Sequence, residues 1–373
     1  MSDLKNVVIV GASSGAALAR QLEKKLPSSH RIVLIDSNES AYWPIGGLRA
    51  AVKPGSEEQM FAPLKGFFKE GSRHVVLPLT KVTAISNSSV TLEEARDGFG
   101  TEIALDLGVI ATGSTYPSPM RSEDAVTAEA KAALKKKQDE VARAESILIV
   151  GGGPVGIEFA GEVKDVHPDK KVTLCTSGKT LLSPDWKPAF PSKLHNQLVK
   201  LGVTVQYEAK IDLPESVNSA ELLSEAVEIS TPAGPLKTDF VLIASGGKPN
   251  TQLLPDAALD DSKRIKVNAQ SLRVEHAELD KWFAIGDANN APGSKTYMSA
   301  SAQAPAVAAN IVAALFQSNT IKAYKPPGAI MVVPIGTSGG ASQLSIVVLG
   351  EWVTSLAKGK GLLLGMFKGT YGI

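Results

Sequence analysis

Ser146–Glu162 reads SILIVGGGPVGIEFAGE. Ile147–Val150 is a continuous apolar run, as expected of a strand covered on both faces. Gly151, Gly153 and Gly156 follow at G-x-G-x-x-G spacing, with Pro154 inside the turn. The first glycine permits a tight turn, the second lets the backbone approach a pyrophosphate, and the third allows the helix to pack closely on the strand. The helix N-terminus adds free N–H groups and the positive end of its dipole. The stretch therefore predicts strand, turn and helix, with Gly151, Gly153, Pro154 and Gly156 binding a dinucleotide.

Downstream, Lys171–Leu174 reads as the partner strand and ends at Cys175-Thr176-Ser177-Gly178-Lys179. A carboxylate there would repel a 2′-phosphate. Thr176, Ser177 and Lys179 offer hydroxyls and a cation instead, so NADPH is expected to serve at least as well as NADH. Phe240–Gly247, FVLIASGG, is a further strand running into Ala244-Ser245-Gly246.

The same plan appears 140 residues earlier. Asn6–Val10 is an apolar strand, followed by Gly11-Ala12-Ser13-Ser14-Gly15-Ala16, a degenerate fingerprint with Ser13 and Ala16 where glycines are usual. Ala16–Leu26 reads as helix and Arg31–Ile35 as the second strand. Asp36, 25 residues after Gly11, closes it. A carboxylate there can accept both hydroxyls of an adenine ribose; the plainer alternative is a solvated Asp opening a turn. Leu105–Gly113 is an apolar strand ending in Ala111-Thr112-Gly113, which returns the chain to the cofactor crevice. A repeat of this kind organises the whole chain.

The remaining stretches are less distinctive. Ala41–Ala51, AYWPIGGLRAA, is read as a loop lying along a flat cofactor or as an ordinary packed loop, with Arg49 as its cation. Val75–Pro78, Lys81–Ile85 and Ser89–Leu92 read as a meander of short strands. Asp124–Ala144 and Pro191–Leu201 are helical, and Thr204–Tyr207 and Val227–Thr231 read as strands. Trp282–Asp287, WFAIGD, is a strand running into Gly286-Asp287, and a long Ala-rich helix, Tyr297–Phe316, follows. The aspartate could hold a polar part of the first dinucleotide. After Lys325-Pro-Pro-Gly328 come strands at Ile330–Ile335 and Leu344–Val348, a helix at Trp352–Gly361 and an apolar tail, Leu362–Phe367, expected to form a dry slot.

Composition narrows the function. The 373 residues are 43% hydrophobic and 21% charged, with a net charge of +1, which gives no reason to expect a nucleic-acid partner. No apolar run is read as long enough to cross a membrane, and the start runs into a strand without a secretory leader. The one cysteine, Cys175, leaves no dithiol, and the five histidines form no metal-ligand cluster.

Taken together, GxSxxA…D, ATG, GxGxxGxExxxE, A-[ST]-G and AIGD resemble the two-dinucleotide-fold flavoprotein oxidoreductases. LRAAV, IATGSTYP, GGGPVGIEFAGEVK and the tail AYKPPGA…GTSGGASQLS…LAKGKGLL resemble the apoptosis-inducing-factor-like branch, which includes the ferroptosis suppressor proteins. The resemblance spans essentially the whole chain. It implies an α/β fold of two Rossmann-like domains plus a small α+β C-terminal unit. FAD would be held by residues 1–115 and 248–325, NAD(P)H by 116–247, and residues 326–373 would form the C-terminal domain covering the flavin.

The implied cofactor-binding residues are Gly11, Ser13, Ser14, Gly15, Asp36, Arg49, Ala111, Thr112, Gly113, Gly286 and Asp287 for FAD. Gly246 joins the second turn. Glu158 would lie near nicotinamide and flavin, although an acid early in a helix also suits the dipole. Lys358 matches a lysine beside the flavin ring, or is simply solvated beside Lys360.

Three departures matter. The chain begins Met-Ser where members can begin Met-Gly, so a myristoyl anchor is not expected. The first fingerprint lacks two glycines. The cysteine pair of the disulfide-reducing relatives is missing. The implied reaction is hydride transfer from NAD(P)H to FAD and electron delivery to a small lipophilic, quinone-like acceptor. The competing readings are a membrane quinone reductase, a reductase of an iron–sulfur or haem protein, and a low-turnover redox or death-effector protein. A monomer or homodimer is expected in the cytoplasm, with lipid-droplet, peripheral-membrane or mitochondrial association left open.

Overall fold

Each glycine turn leaves the end of a central strand in its own parallel sheet. The computed structural model describes residues 4–244 and 246–373. In the first sheet the strands run Trp282–Ala284, Leu107–Ile110, Lys5–Val10, His30–Ile35, Val75–Leu77, every neighbouring pair parallel. In the second the order is Val203–Gln206, Lys171–Cys175, Ser146–Val150, Gly234–Ile243, with Glu221–Thr231 added antiparallel at the edge. Val7–Ile9 and Ile147–Ile149 are wholly buried, because both faces of each sheet are covered; in the second sheet helix residues such as Phe159 and Leu194 cover one face and Ala209, Val217 and Ile229, from loop and edge strand, cover the other. In both sheets the strand order reverses at the central strand, and the crevice above such a switch point is where doubly wound sheets bind ligands.

The chain passes from the first unit to the second at Ser114–Thr115 and returns at Lys248–Pro249; these two crossings pair antiparallel. A three-stranded antiparallel sheet, Ile330–Ile335, Gly339–Leu344 and Val347–Leu349, docks on the second unit. Its Val333, Ile335 and Ala341 enter that unit's core. Helix Pro154–Val166 comes so near that a Cβ on Gly161 would stand 2.7 Å from the Ile335 Cα.

Several sequence expectations are corrected. The first helix spans Ala12–Glu23, starting one residue after Gly11 rather than at Ala16. Ala41–Ala51 is not a loop: Ser40–Tyr42 pairs with Phe61–Pro63, and Pro44–Ala50 is a helix. Proline is favoured in a first turn, where its missing N–H costs nothing, so Pro44 opens this helix instead of breaking the chain. Val75–Leu77 joins the parallel sheet, and the meander is made by Val82–Ile85, Ser89–Arg96 and Gly100–Ala104. Leu344–Val348 is a hairpin turn rather than a strand. Glu351–Thr354 continues as a wider π-turn over Ser355–Gly359.

The apolar tail also differs from expectation. It forms helix Leu364–Tyr371, and Leu362, Phe367 and Tyr371 are buried in the core of the first unit instead of lining a slot. Helix Tyr297–Leu315 is long and apolar enough to cross a membrane by length and composition, which the sequence reading overlooked. In the fold it packs on Ala12–Glu23, with Val307, Ala308 and Ile311 fully buried. Ser245 and the initial Met-Ser lie outside the described residues.

Candidate functional site

Gly11 has φ +101°, and a Cβ there would stand 2.5 Å from the Ala111 carbonyl oxygen, so only glycine can end the strand at this point. Gly151 repeats the arrangement, with φ +129° and a hypothetical Cβ 2.7 Å from the Ala244 oxygen. The third-glycine role differs between the turns. A Cβ on Gly156 would meet Ile149 Cγ2 at 3.1 Å; in the first unit the residue meeting the matching Ile9 Cγ2, at 2.7 Å, is Gly15. The first turn is one residue tighter, so Ala16 is not the substitute for a missing glycine. Ser13 is exposed at the helix start.

Asp36 sits beside this turn. Its Oδ2 accepts the Ala12 N–H at 2.6 Å, and its Oδ1 accepts the Asn38 N–H and Nδ2, both at 2.9 Å. Burial pushes its carboxyl up, while these donors oppose the shift. Thr112 and Gly113 are pinned by Asn250, which the sequence reading missed. Thr112 Oγ1 donates to the Asn250 oxygen at 2.6 Å, Asn250 Nδ2 donates to the Thr112 oxygen at 3.0 Å, and Asn250 N–H donates to the Gly113 oxygen at 2.9 Å.

Gly286 faces Ser14: a Cβ there would stand 2.7 Å from Ser14 Oγ. Its N–H donates to Gln303 Oε1 at 2.8 Å, and Asn289 Nδ2 donates to the same oxygen at 3.0 Å. Gln303 carries no sequence motif; it is a buried amide that helix Tyr297–Leu315 places against this turn. Asp287 is half-buried next to these groups. The first crevice thus brings together Gly11, Ser13, Ser14, Gly15, Asp36, Ala111, Thr112, Gly113, Gly286 and Asp287.

At the second turn, Gly153 and Gly246 face open space, and Pro154 opens the helix. Thr176 is buried, and its Oγ1 accepts the Gly178 N–H at 3.2 Å, while Ser177 and Lys179 are exposed at the lip. The sequence showed no acid here, but the fold supplies one. The Glu208 N–H donates to the Gly178 oxygen at 3.0 Å, which places Glu208 beside the loop.

Glu158 and Glu162, four residues apart, share one face of helix Pro154–Val166. Lys358, 200 residues further on, reaches Glu158 Oε1 with Nζ at 2.6 Å, in an ion pair only about a tenth exposed on each side. Burial pushes the Glu158 carboxyl up; Lys358 pulls it down, and Glu162 adds to the rise. Arg49 grips Glu162 with two bonds, Nε to Oε2 at 2.8 Å and Nη2 to Oε1 at 2.7 Å, and Nη2 also donates to the Gly336 oxygen at 3.3 Å. Its guanidinium is bonded to protein groups, and it ties helix Pro44–Ala50 of the first unit to helix Pro154–Val166 of the second.

Cys175 is fully buried among Leu148, Ala209 and Val241, and burial pushes its thiol up to about 11. A thiol so placed is not a nucleophile at neutral pH. Cys175→Ser is expected to retain most NAD(P)H oxidation with normal flavin content; loss of turnover in a flavin-replete variant would overturn this.

The first cradle, closed by Ala111 and carrying the Asp36 carboxylate at its rim, fits an adenine dinucleotide; the second, open at Gly153 and Gly246, fits another. The chain is similar to known proteins along nearly its whole length. Ferroptosis suppressor protein 1 of Mus musculus is 29% identical over 370 residues, 96% of this chain and 94% of that protein. Apoptosis-inducing factor homolog B of Dictyostelium discoideum is 27% identical over 390 residues, 98% and 96% of the two chains. In fold the chain is similar to the sulfide:quinone oxidoreductase of Aquifex aeolicus, with a TM-score of 0.76 at 17% identity, covering 98% of this chain and 91% of that one. Residues 5–304 match one family along both nucleotide folds, so the chain belongs to the pyridine nucleotide-disulphide oxidoreductase family.

Proposed function

We propose that this FAD-dependent NAD(P)H oxidoreductase reduces a small, lipophilic, quinone-like acceptor. NAD(P)H, a proton and the quinone become NAD(P)⁺ and the quinol, with two electrons and two protons accounted for. Bound FAD supplies the two-electron relay between them. The observation carrying the reading is the Glu158–Lys358 pair at 2.6 Å, in a chain with a single, buried cysteine. Passing electrons to a disulfide takes a thiol pair, which is lacking. An acid with a raised pKa beside an ammonium suits an acceptor that takes up protons and develops negative charge. The relatedness to ferroptosis suppressor protein 1 and the fold likeness to a sulfide:quinone oxidoreductase point the same way.

The test is an acceptor screen on purified, flavin-loaded protein. A short-chain soluble quinone is expected to support steady NADPH oxidation well above the rate with oxygen, cytochrome c or a ferredoxin. Faster reduction of an iron–sulfur or haem protein would replace the proposal with that reading, and negligible turnover on every acceptor would favour a redox-effector role. Acid precipitation is expected to release FAD; FMN, or no flavin, would contradict the cofactor assignment.

At the nicotinamide site, Lys179 is the cation available to a 2′-phosphate. Lys179→Glu is expected to lower kcat/KM for NADPH about tenfold, a loss of roughly 1.4 kcal/mol, while NADH changes little. A strong preference for NADH in the parent, unaltered by this substitution, would remove Lys179 from the choice of nucleotide.

A further inference from the structure

The last residues of the chain are built into the first nucleotide fold. Trp43 stacks on Phe367 at 5.0 Å between centroids, and its Nε1 donates to the Leu362 oxygen at 2.8 Å. Arg20, on the fingerprint helix, donates from Nε to the Thr370 oxygen at 3.0 Å. The buried Tyr371 hydroxyl, 359 residues from its partner, donates to the Ala12 oxygen at 3.0 Å.

Ala12 is the first residue of the fingerprint helix, and it is held from two sides. Its N–H goes to Asp36 Oδ2 and its carbonyl takes the Tyr371 phenol. The orientation of the two peptides flanking Ala12 sets where the helix N-terminus and the Asp36 carboxylate point, the two groups with which such a fold meets a dinucleotide. Burial and the nearby Asp36 charge push the Tyr371 hydroxyl well above its usual range, so it stays a donor throughout the working pH range.

We propose that helix Leu364–Tyr371 is a clasp for FAD, with Tyr371 as a positioning residue acting through Ala12 on the first glycine turn. The consequence is reciprocal: if the docked tail tightens FAD, bound FAD tightens the tail by the same factor. A C-terminal segment far from the fingerprint in sequence thus becomes part of the flavin site.

Two measurements test this on the 373-residue, FAD-loaded protein. The first follows flavin release after dilution by the rise in flavin fluorescence. Tyr371→Phe keeps the ring and its packing and removes one hydrogen bond, so FAD release is expected to quicken about fivefold, with the NADPH dissociation constant unchanged. The second follows carboxypeptidase trimming of the parent protein, which is expected to stall before Tyr371 more strongly with FAD than after flavin removal. A purely structural tail predicts a different pair of results: Tyr371→Phe lowers the melting temperature equally with and without FAD, and the release rate equals the parental one. Unchanged flavin release in Tyr371→Phe, or trimming at the same rate with and without FAD, overturns the clasp. If Tyr371→Phe fails to fold, the trimming comparison on the parent decides alone.

Discussion

Arg49→Ala is expected to destabilise the protein by about 3–5 kcal/mol, because removing one partner of a buried pair leaves the other charge uncompensated. Glu162 is nearly fully buried, and its two oxygens are bound by the Arg49 fork. Arg49→Lys should recover little, since an ammonium cannot repeat the two-point contact. Arg49→Met combined with Glu162→Met should recover most of the loss, as apolar residues of similar volume often replace such pairs at little cost.

The deficit should depend on pH. Burial already pushes the Glu162 carboxyl above its ordinary value, and Arg49 opposes that. Without Arg49 the folded-state value rises further above the unfolded one. A carboxyl raised in this way favours the fold below its unfolded value and loses that contribution as pH climbs through the folded one. The Arg49→Ala deficit in urea midpoint should therefore be smaller near pH 5 than near pH 8. A variant as stable as the parent at both values would show that the pair is dispensable.

The second large effect is expected at Glu158. Glu158→Gln should lower quinone turnover about 100-fold, the lower range for losing a positioned proton donor, with FAD still bound. If the protonated carboxyl is the working form, turnover falls as pH rises through its pKa. Lys358→Met removes the ammonium that lowers this value and should move the alkaline fall to higher pH. Glu162→Gln removes the neighbouring carboxylate that raises it and should move the fall to lower pH. An alkaline limb that persists unchanged in Glu158→Gln would remove Glu158 from proton transfer, whatever the loss in rate.

How much of this was legible in the sequence depends on the range over which each feature is held together. The strands at Lys5–Val10 and Ser146–Val150, the two glycine turns and the acid at Asp36 were readable because each is local: an apolar run, a residue without a Cβ, a carboxylate at the end of a strand. Gly15 was misread by one position, since which residue crosses Ile9 depends on where the helix begins, and Gly11 starts it at once. Glu158 and Lys358 were each readable as candidates through family likeness, but their 2.6 Å pairing spans 200 residues and no pattern announces it. Arg49 was legible as a cation and not as the partner of Glu162. Asn250 and Gln303 carry no motif; they matter because the chain crossings and a helix place their amides against turns made elsewhere.

The tail shows the division most clearly. Leu362–Phe367 was plainly apolar, which favours burial, and Leu362 and Phe367 are buried while Met366 is left exposed. Whether it would line an acceptor slot or fill the core beside Trp43 was decided only by tertiary structure, because burial fixes what a side chain avoids and packing geometry alone fixes what it meets.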